Sequence, residues 1–303
     1  MWFSILIVGS GYMREVLDQL IVGEDFDKVL VEHQLNKYEL LAALRQEVLT
    51  YKKQFDLNQR EQLKSIYLKF YSMVDLTGQK VAFVSDTHFA SKYENTEYFP
   101  VVLDFCRNQG IFYLFHGGDI GAGMVDSHKE YQSPIKQMNH ILDVYPEDKH
   151  IRQYVLGGNH DTKYLKHGFD ILKILSTEKR NVFPLGYLQS YFTVFGYPIS
   201  FEHHSKIRLQ YRLVEFPFVI TGHAHKSRFA DDFIKLPTLS DDIHMKKEAE
   251  GVPGFIVMET VPYGVRFDLN FSRYSFDDLD PVKEECYTYQ FLSLIHISEP
   301  TRP

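Results

Sequence analysis

Apolar positions change rhythm once along this chain. Up to about residue 75 they recur at helical spacing. Asp25–His33, a break at Gln34-Leu35-Asn36, and Lys37–Thr50 with Leu40, Leu41, Leu44 and Val48 predict two short helices at an angle. Asn58–Met73, with Leu63, Ile66, Tyr67 and Phe70, predicts a third. From Gly78 onward the pattern becomes strand, loop, helix. Lys80–Ser85 reads as a buried strand, Tyr98–Asn108 as a helix and Ile111–Phe115 as the next strand. Ser133–Val144 follows as a helix with Pro134 in its first turn, where proline is tolerated. Arg152–Leu156 is a strand and Gly168–Ser176 a helix. Strands then dominate: Tyr191–Phe195, Ile199–Glu202, Phe218–Thr221, Phe255–Glu259 and Val265–Asn270. Alternating strands and helices followed by a run of strands predict an α/β layered domain with mixed sheets.

This divides the chain into a helical region over 1–75, a main domain over 78–272 and a C-terminal segment over 273–303. The first two helices read either as a cap on the main domain or as a helix-turn-helix, whose second helix offers only Lys37 and Arg45 as basic residues. Gly9–Gly11 (GSG) is too short for a dinucleotide fingerprint and reads as a turn. The last residues, Ser293–Pro303 (SLIHISEPTRP), continue no pattern and resemble translated read-through, so they carry no weight in the fold.

Composition narrows the class without naming it. At 303 residues, 44% hydrophobic and 24% charged, with 24 Phe and 20 Tyr, the chain can bury a substantial core. A net charge of −7 provides no global basic field for nucleic acid, though it leaves room for a local patch. Two cysteines, Cys106 and Cys286, argue against a disulfide framework and for the cytoplasm. The apolar start, Trp2–Val8, is too short to span a bilayer.

The chemistry sits at the ends of the strand-like runs. Five clusters occur there: SDTH (Ser85–His88), GGD (Gly117–Asp119), GNHD (Gly158–Asp161), EHH (Glu202–His204) and GHAH (Gly222–His225). D-x-H or GGD alone is as readily a turn. GNHD is more telling, because glycine lets the chain bend sharply just before three polar groups. Together they hold the carboxylate oxygens and imidazoles that a pair of divalent metals needs for attack on a phosphate ester.

In this order the five clusters resemble the motifs of calcineurin-like metallophosphoesterases, over roughly Lys80 to Asn270. The resemblance implies an α/β, four-layer αββα sandwich: two mixed β-sheets face to face, flanked by helices, with a dinuclear metal centre at the strand ends. It implies that Asp86, His88 and His225 hold one metal, that Asn159, His203 and His223 hold the other, and that Asp119 bridges them. His160 would donate a proton to the leaving oxygen or stabilise its charge, with Asp161 orienting the His160 ring. The expected cofactor is two divalent ions, Mn²⁺ first, with Fe or Zn also compatible. Hydroxide held between them would attack a phosphate mono- or diester.

One departure stands out: His203 and His204 are adjacent, and neighbouring residues of a strand point to opposite faces. The resemblance favours His203, which follows Phe201 in the pattern the family shows, as the ligand, while His204 could line the pocket. His116 reads as a strand-end residue beside the site. His128, His140, His150, His167 and His244 read as surface or helix histidines, and Asn95, Tyr131 and Arg228 as pocket candidates. Loops Phe89–Pro100, Gly121–Pro134 and Leu185–Tyr191 are the expected determinants of specificity. Beside the phosphoesterase stand two alternatives on the same fold: a metal-dependent DNA nuclease, and a non-catalytic scaffold or DNA-binding regulator. A phosphate ester is the expected partner, nucleic acid remains open, and no membrane is implied.

Overall fold

A computed structural model describes residues 15–16, 18–20, 24, 26–33, 74–124, 128–203, 218–241, 251–264 and 266–292. The chain divides into two compact units, Met1–Met73 with Ile207–Glu215, and Val74–Lys206 with Phe216–Pro303. In the first, helix α1 spans Phe26–Glu32 within the predicted Asp25–His33. The ring Nε2 of His33, just past α1, lies 2.7 Å from Gln19 Oε1. The predicted helices over 37–50 and 58–73, the GSG turn, His204 and the tail 293–303 lie outside the described residues.

The second unit is built on two mixed sheets. Strands β1 (Lys80–Val84), β2 (Tyr113–His116), β3 (Arg152–Gly157), β4 (Val182–Tyr187), β10 (Gly254–Tyr263), β11 (Arg266–Asp277) and β12 (Asp280–Leu292) form one, in the order β12-β11-β10-β1-β2-β3-β4. Strands β5 (Gln189–Val194), β6 (Tyr197–Glu202), β7 (Val219–Thr221), β8 (Arg228–Phe229) and β9 (Phe233–Lys235) form the other, in the order β5-β6-β7-β9-β8. This is the mixed α/β sandwich that the sequence pattern predicts.

Period-two alternation decides which core each side chain joins. In β1, Val81 and Phe83 point between the sheets while Ala82 and Val84 face the helices. In β10, Ile256 and Met258 take the inner face and Phe255 and Val257 the outer. The inner layer is aromatic: Phe83 meets Phe115, Phe192 and Phe201 at ring-centroid distances of 5.6, 6.0 and 5.8 Å, so one ring joins both sheets. All four rings are fully buried, each worth about 1.5–3 kcal/mol relative to exposure.

The outer face of the seven-stranded sheet is covered by α2 (Tyr98–Asn108), α3 (Pro134–Val144) and α5 (Ile171–Glu178); the short α4 (Asp161–Leu165) adds Tyr164 to the same core. Helix α3 starts where Ser133 caps it, accepting from Lys136 N, with Pro134 in the first turn. Pairing of β11 with β12 carries the larger sheet to Leu292, past the boundary at 272 drawn from the sequence pattern. No helix among the described residues is long and apolar enough to cross a membrane.

Topology positions the site. Strands β1, β2 and β3 are mutually parallel, as are β6 and β7. Their C-terminal ends therefore deliver five loops to one edge of the sandwich, the usual place for ligands in α/β sheets.

Candidate metal centre

The loops after β1, β2 and β7 turn sharply as their strands end, and these turns are strained. Asp86, His88, Asp119, His223 and His225 all have positive φ (57°, 45°, 53°, 70° and 57°). Asp and His tolerate this region better than most residues, yet each instance costs on the order of 1–3 kcal/mol and persists only when neighbours enforce it. Here backbone bonds do so: Asp86 N donates to Gly118 O (2.9 Å), His88 N to Asp119 O (3.0 Å) and Phe89 N to Ile120 O (2.8 Å). Two glycines are required by contact, and Gly118 also by its backbone, at φ 97°. A Cβ on Gly158 would collide with Asp119 Oδ1, and one on Gly118 would lie 2.6 Å from His203 Nδ1.

The side chains converge in two groups about Asp119. On one side, Asp86 Oδ1 lies 3.2 Å from His225 Nε2 and 3.7 Å from His88 Nε2, and the two ring nitrogens are 3.1 Å apart. On the other, His203 Nε2 lies 3.1 Å from Asp119 Oδ2 and 3.2 Å from Asn159 Oδ1, and its ring meets that of His223 edge-on at 5.3 Å. Asp119 Oδ2 stands between, 4.0 Å from both His88 Nε2 and His160 Nε2. Ligand atoms within 4.8 Å of one another group as Asp86, His88 and His225; His88, Asp119 and His160; and Asp119, His203 and His223. All the residues expected as ligands are thus brought together, with His203 buried among them. His160 also comes within coordinating distance.

The donors suit a divalent cation. Ser85 Oγ (2.5 Å) and His223 N (3.0 Å) both donate to Asp86 Oδ2, leaving the fully buried Oδ1 without a donor and aimed at two imidazoles. A buried carboxylate oxygen without a hydrogen bond is costly unless a cation meets it. The metal-free electrostatics show the same demand. Burial alone would raise the Asp86 carboxyl, but His225, His88 and His203 hold it well below the usual range. Burial alone would lower His203, yet the charge and hydrogen bond of Asp119, then Asp86, raise it to about 9. A proton on the His203 ring stands where a cation would balance the carboxylates.

The His160 side chain, 22% exposed, is more accessible than those of His88, His203 and His225. Burial lowers its pKa. Its Nδ1 lies 2.8 Å from the Ala122 carbonyl, so Nδ1 carries the proton and Nε2 faces the centre. This corrects the role expected of Asp161. Its carboxylate does not orient the His160 ring; it accepts backbone N–H groups of Gly158 (2.8 Å), Gly121 (3.0 Å) and Ile120 (3.1 Å), tying the β2 and β3 loops together. Burial, then the nearby Asp119 charge, pushes Asp161 up to about 7 against those three donors.

Of the other supports, His116 was expected beside the site, whereas Tyr164 and Gln137 carried no sequence signal. His116 is fully buried; its Nε2 lies 3.1 Å from Thr87 Oγ1 and its Nδ1 accepts from Gly118 N, so it joins the first two loops. Burial drives it down to about 3, which leaves it neutral. Tyr164 OH accepts Gly123 N (2.9 Å) and donates to Gln137 Oε1. Asn95 pairs with Asp241 rather than reaching the centre, and Arg228 lies over the Phe233 ring.

A family description, calcineurin-like phosphoesterase, matches residues 79–263, the span that carries all five loops. This chain belongs to that family. No curated protein sequence matches the chain. Among solved structures, a single mutant of Vps29 from Entamoeba histolytica superposes with a TM-score of 0.40 at 14% identity, over 70% of this chain and 99% of its own. Vps29 of Chaetomium thermophilum gives 0.38 at 11% identity, over 71% and 99%. The calcineurin-like phosphoesterase YfkN of Bacillus subtilis gives 0.29 at 9%, over 71% and 90%.

Proposed function

We propose that this calcineurin-like phosphoesterase is a hydrolase that uses two divalent metals, Mn²⁺ in the first instance, to cleave a phosphate mono- or diester. The observation that carries the reading is the complete donor set: two carboxylates, Asn159 and four imidazoles from five loops, arranged as two groups about Asp119. Asp86, His88 and His225 would hold one ion, Asn159, His203 and His223 the other, with Asp119 shared. Bound there, the metals would supply hydroxide near neutral pH and clamp the phosphoryl oxygens.

The chain's own residues do the rest. The Ala122 carbonyl holds the Nδ1 proton of His160, so Nε2 is the atom left to meet the leaving oxygen. A lowered pKa makes the protonated ring a readier acid toward that oxygen. Asp161 serves by fixing the loops that carry Asp119, Asn159 and His160. A scaffold that had lost hydrolysis would have no need of an intact His160 beside an intact ligand set. With Cys106 buried, Cys286 exposed and both unpaired, a reducing cytoplasm suits the chain.

The test is hydrolysis of bis-p-nitrophenyl phosphate and p-nitrophenyl phosphate, each with Mn²⁺ and with chelator. Metal-dependent release from either substrate is expected. His160→Asn should lower that rate by about 10²–10⁴-fold while two metals stay bound. Absence of metal binding in the wild type would sink the proposal. Cleavage of DNA would turn it toward the nuclease alternative.

A further inference from the structure

The β1 loop holds one strained residue more than the metal centre requires. After Asp86 and His88, Ala90 is also in the left-handed region, at φ 67°. Alanine has no polar side chain to favour that conformation, so something outside the turn must enforce it. Glu94 takes part: its Oε2 accepts the Ala90 N–H at 2.7 Å, while His128 N donates to Ala90 O (3.0 Å) and Ala122 N to Phe89 O (2.9 Å). Both Glu94 oxygens also meet His140 Nε2 on α3, at 2.9 and 2.8 Å. Tyr131 stacks on the His140 ring at 4.1 Å with the planes 21° apart, which keeps the ring edge toward Glu94. The pair is largely buried, with side-chain exposures of 14% for His140 and 19% for Glu94.

The same helix face reaches the other loop. Gln137, one turn before His140, takes the Tyr164 hydroxyl and donates to Tyr131 O at 2.8 Å. Residues three apart share a face of a helix, so α3 braces the β1 loop through His140 and the β2 loop through Gln137. Neither Glu94 nor His140 lies in any cluster of candidate ligands.

We infer that Glu94, anchored by His140, is a positioning residue that holds the Asp86–Ala90 turn so that His88 faces the metal centre. Losing the carboxylate frees the Ala90 N–H and lets the turn relax toward negative φ, which swings the backbone two residues from His88. The ion held by Asp86, His88 and His225 then suffers, while the one held by Asn159, His203 and His223 does not. This rests on the two-metal reading above.

The experiment is a Mn²⁺ titration by calorimetry of wild type, Glu94→Ala, Glu94→Gln and His140→Ala, with thermal unfolding of each metal-free protein alongside. Wild type is expected to bind two ions. Glu94→Ala should weaken one of them by about 10–100-fold and leave the other unchanged, as removal of groups behind metal ligands commonly does. Glu94→Gln keeps an amide oxygen for the Ala90 N–H and should recover most of that loss; His140→Ala should fall between. A merely structural role would weaken both ions together, in step with stability, and would not be rescued by glutamine. Two ions at wild-type affinity in Glu94→Ala overturns the inference. A wild type that binds no metal overturns the two-metal reading instead.

Discussion

At the scale of residues, the division of labour between His160 and Asp161 follows from which atoms each can reach. Three buried N–H groups point at one carboxyl group, and a buried donor left without its acceptor costs about 1–3 kcal/mol. Asp161→Asn would set an N–H₂ against one of those donors. We expect it to destabilise the metal-free protein by about 1–3 kcal/mol in denaturant unfolding. Unchanged stability with a lowered kcat would return Asp161 to the ring-orienting role. The sequence showed the two residues side by side but not their directions. Adjacent positions at the start of a short helix diverge, and the carbonyl that does hold the His160 ring belongs to Ala122, some forty positions away. His140 read as an ordinary helix histidine for the same reason: its partner Glu94 lies in another loop, and no local spacing links them.

At the scale of elements, each strand that feeds the site was legible because its run is apolar and ends at a turn. Elements away from the site were less so. β12 (DPVKEECYTYQFL) is exposed along most of its length, with Tyr289 and Phe291 packed on the inner core, so its sequence shows little apolar alternation. β4 contains Pro184 and Gly186 and shifts register against β3 between Val155 and Leu156, which breaks its alternation. The lead into β3 is instead pinned by one acid. Asp148 accepts from His150 N (2.7 Å) and Ile151 N (2.9 Å) and pairs with Arg107 at the end of α2. Burial pulls its carboxyl up, but the two N–H groups and the guanidinium outweigh that and hold it below the usual range. A carboxyl depressed in the folded state stabilises above its unfolded pKa, about 3.9, and that contribution is lost as pH falls through the folded value. Asp148→Ala should therefore cost about 1–3 kcal/mol at pH 7, and less below pH 4. Thermal unfolding of both proteins at pH 7 and pH 3 measures this; an equal gap at both would show that the charge contributes nothing.

At the scale of the whole molecule, the centre is assembled from two sheets, so whatever occupies it also bears on how firmly their edges meet. In the metal-free chain a proton on His203 balances Asp119 and, after it, Asp86. His203 has a folded pKa of about 9 against an ordinary 6.5. A raised value means its proton stabilises the fold fully below pH about 6.5, and that contribution is lost as pH rises through about 9. Metal binding has the opposite slope. On the proposed two-metal reading it would require the neutral ring, release that proton and so strengthen as pH rises. An ion at a hundred times its dissociation constant adds about 2.7 kcal/mol to the folded state. The melting temperature with chelator should fall from pH 6 to pH 9, whereas with excess Mn²⁺ it should hold or rise, so the gap between the two curves widens with pH. Parallel curves would mean that no imidazole proton is exchanged for a metal, and would remove His203 from the ligand set even if some other part of the chain bound manganese.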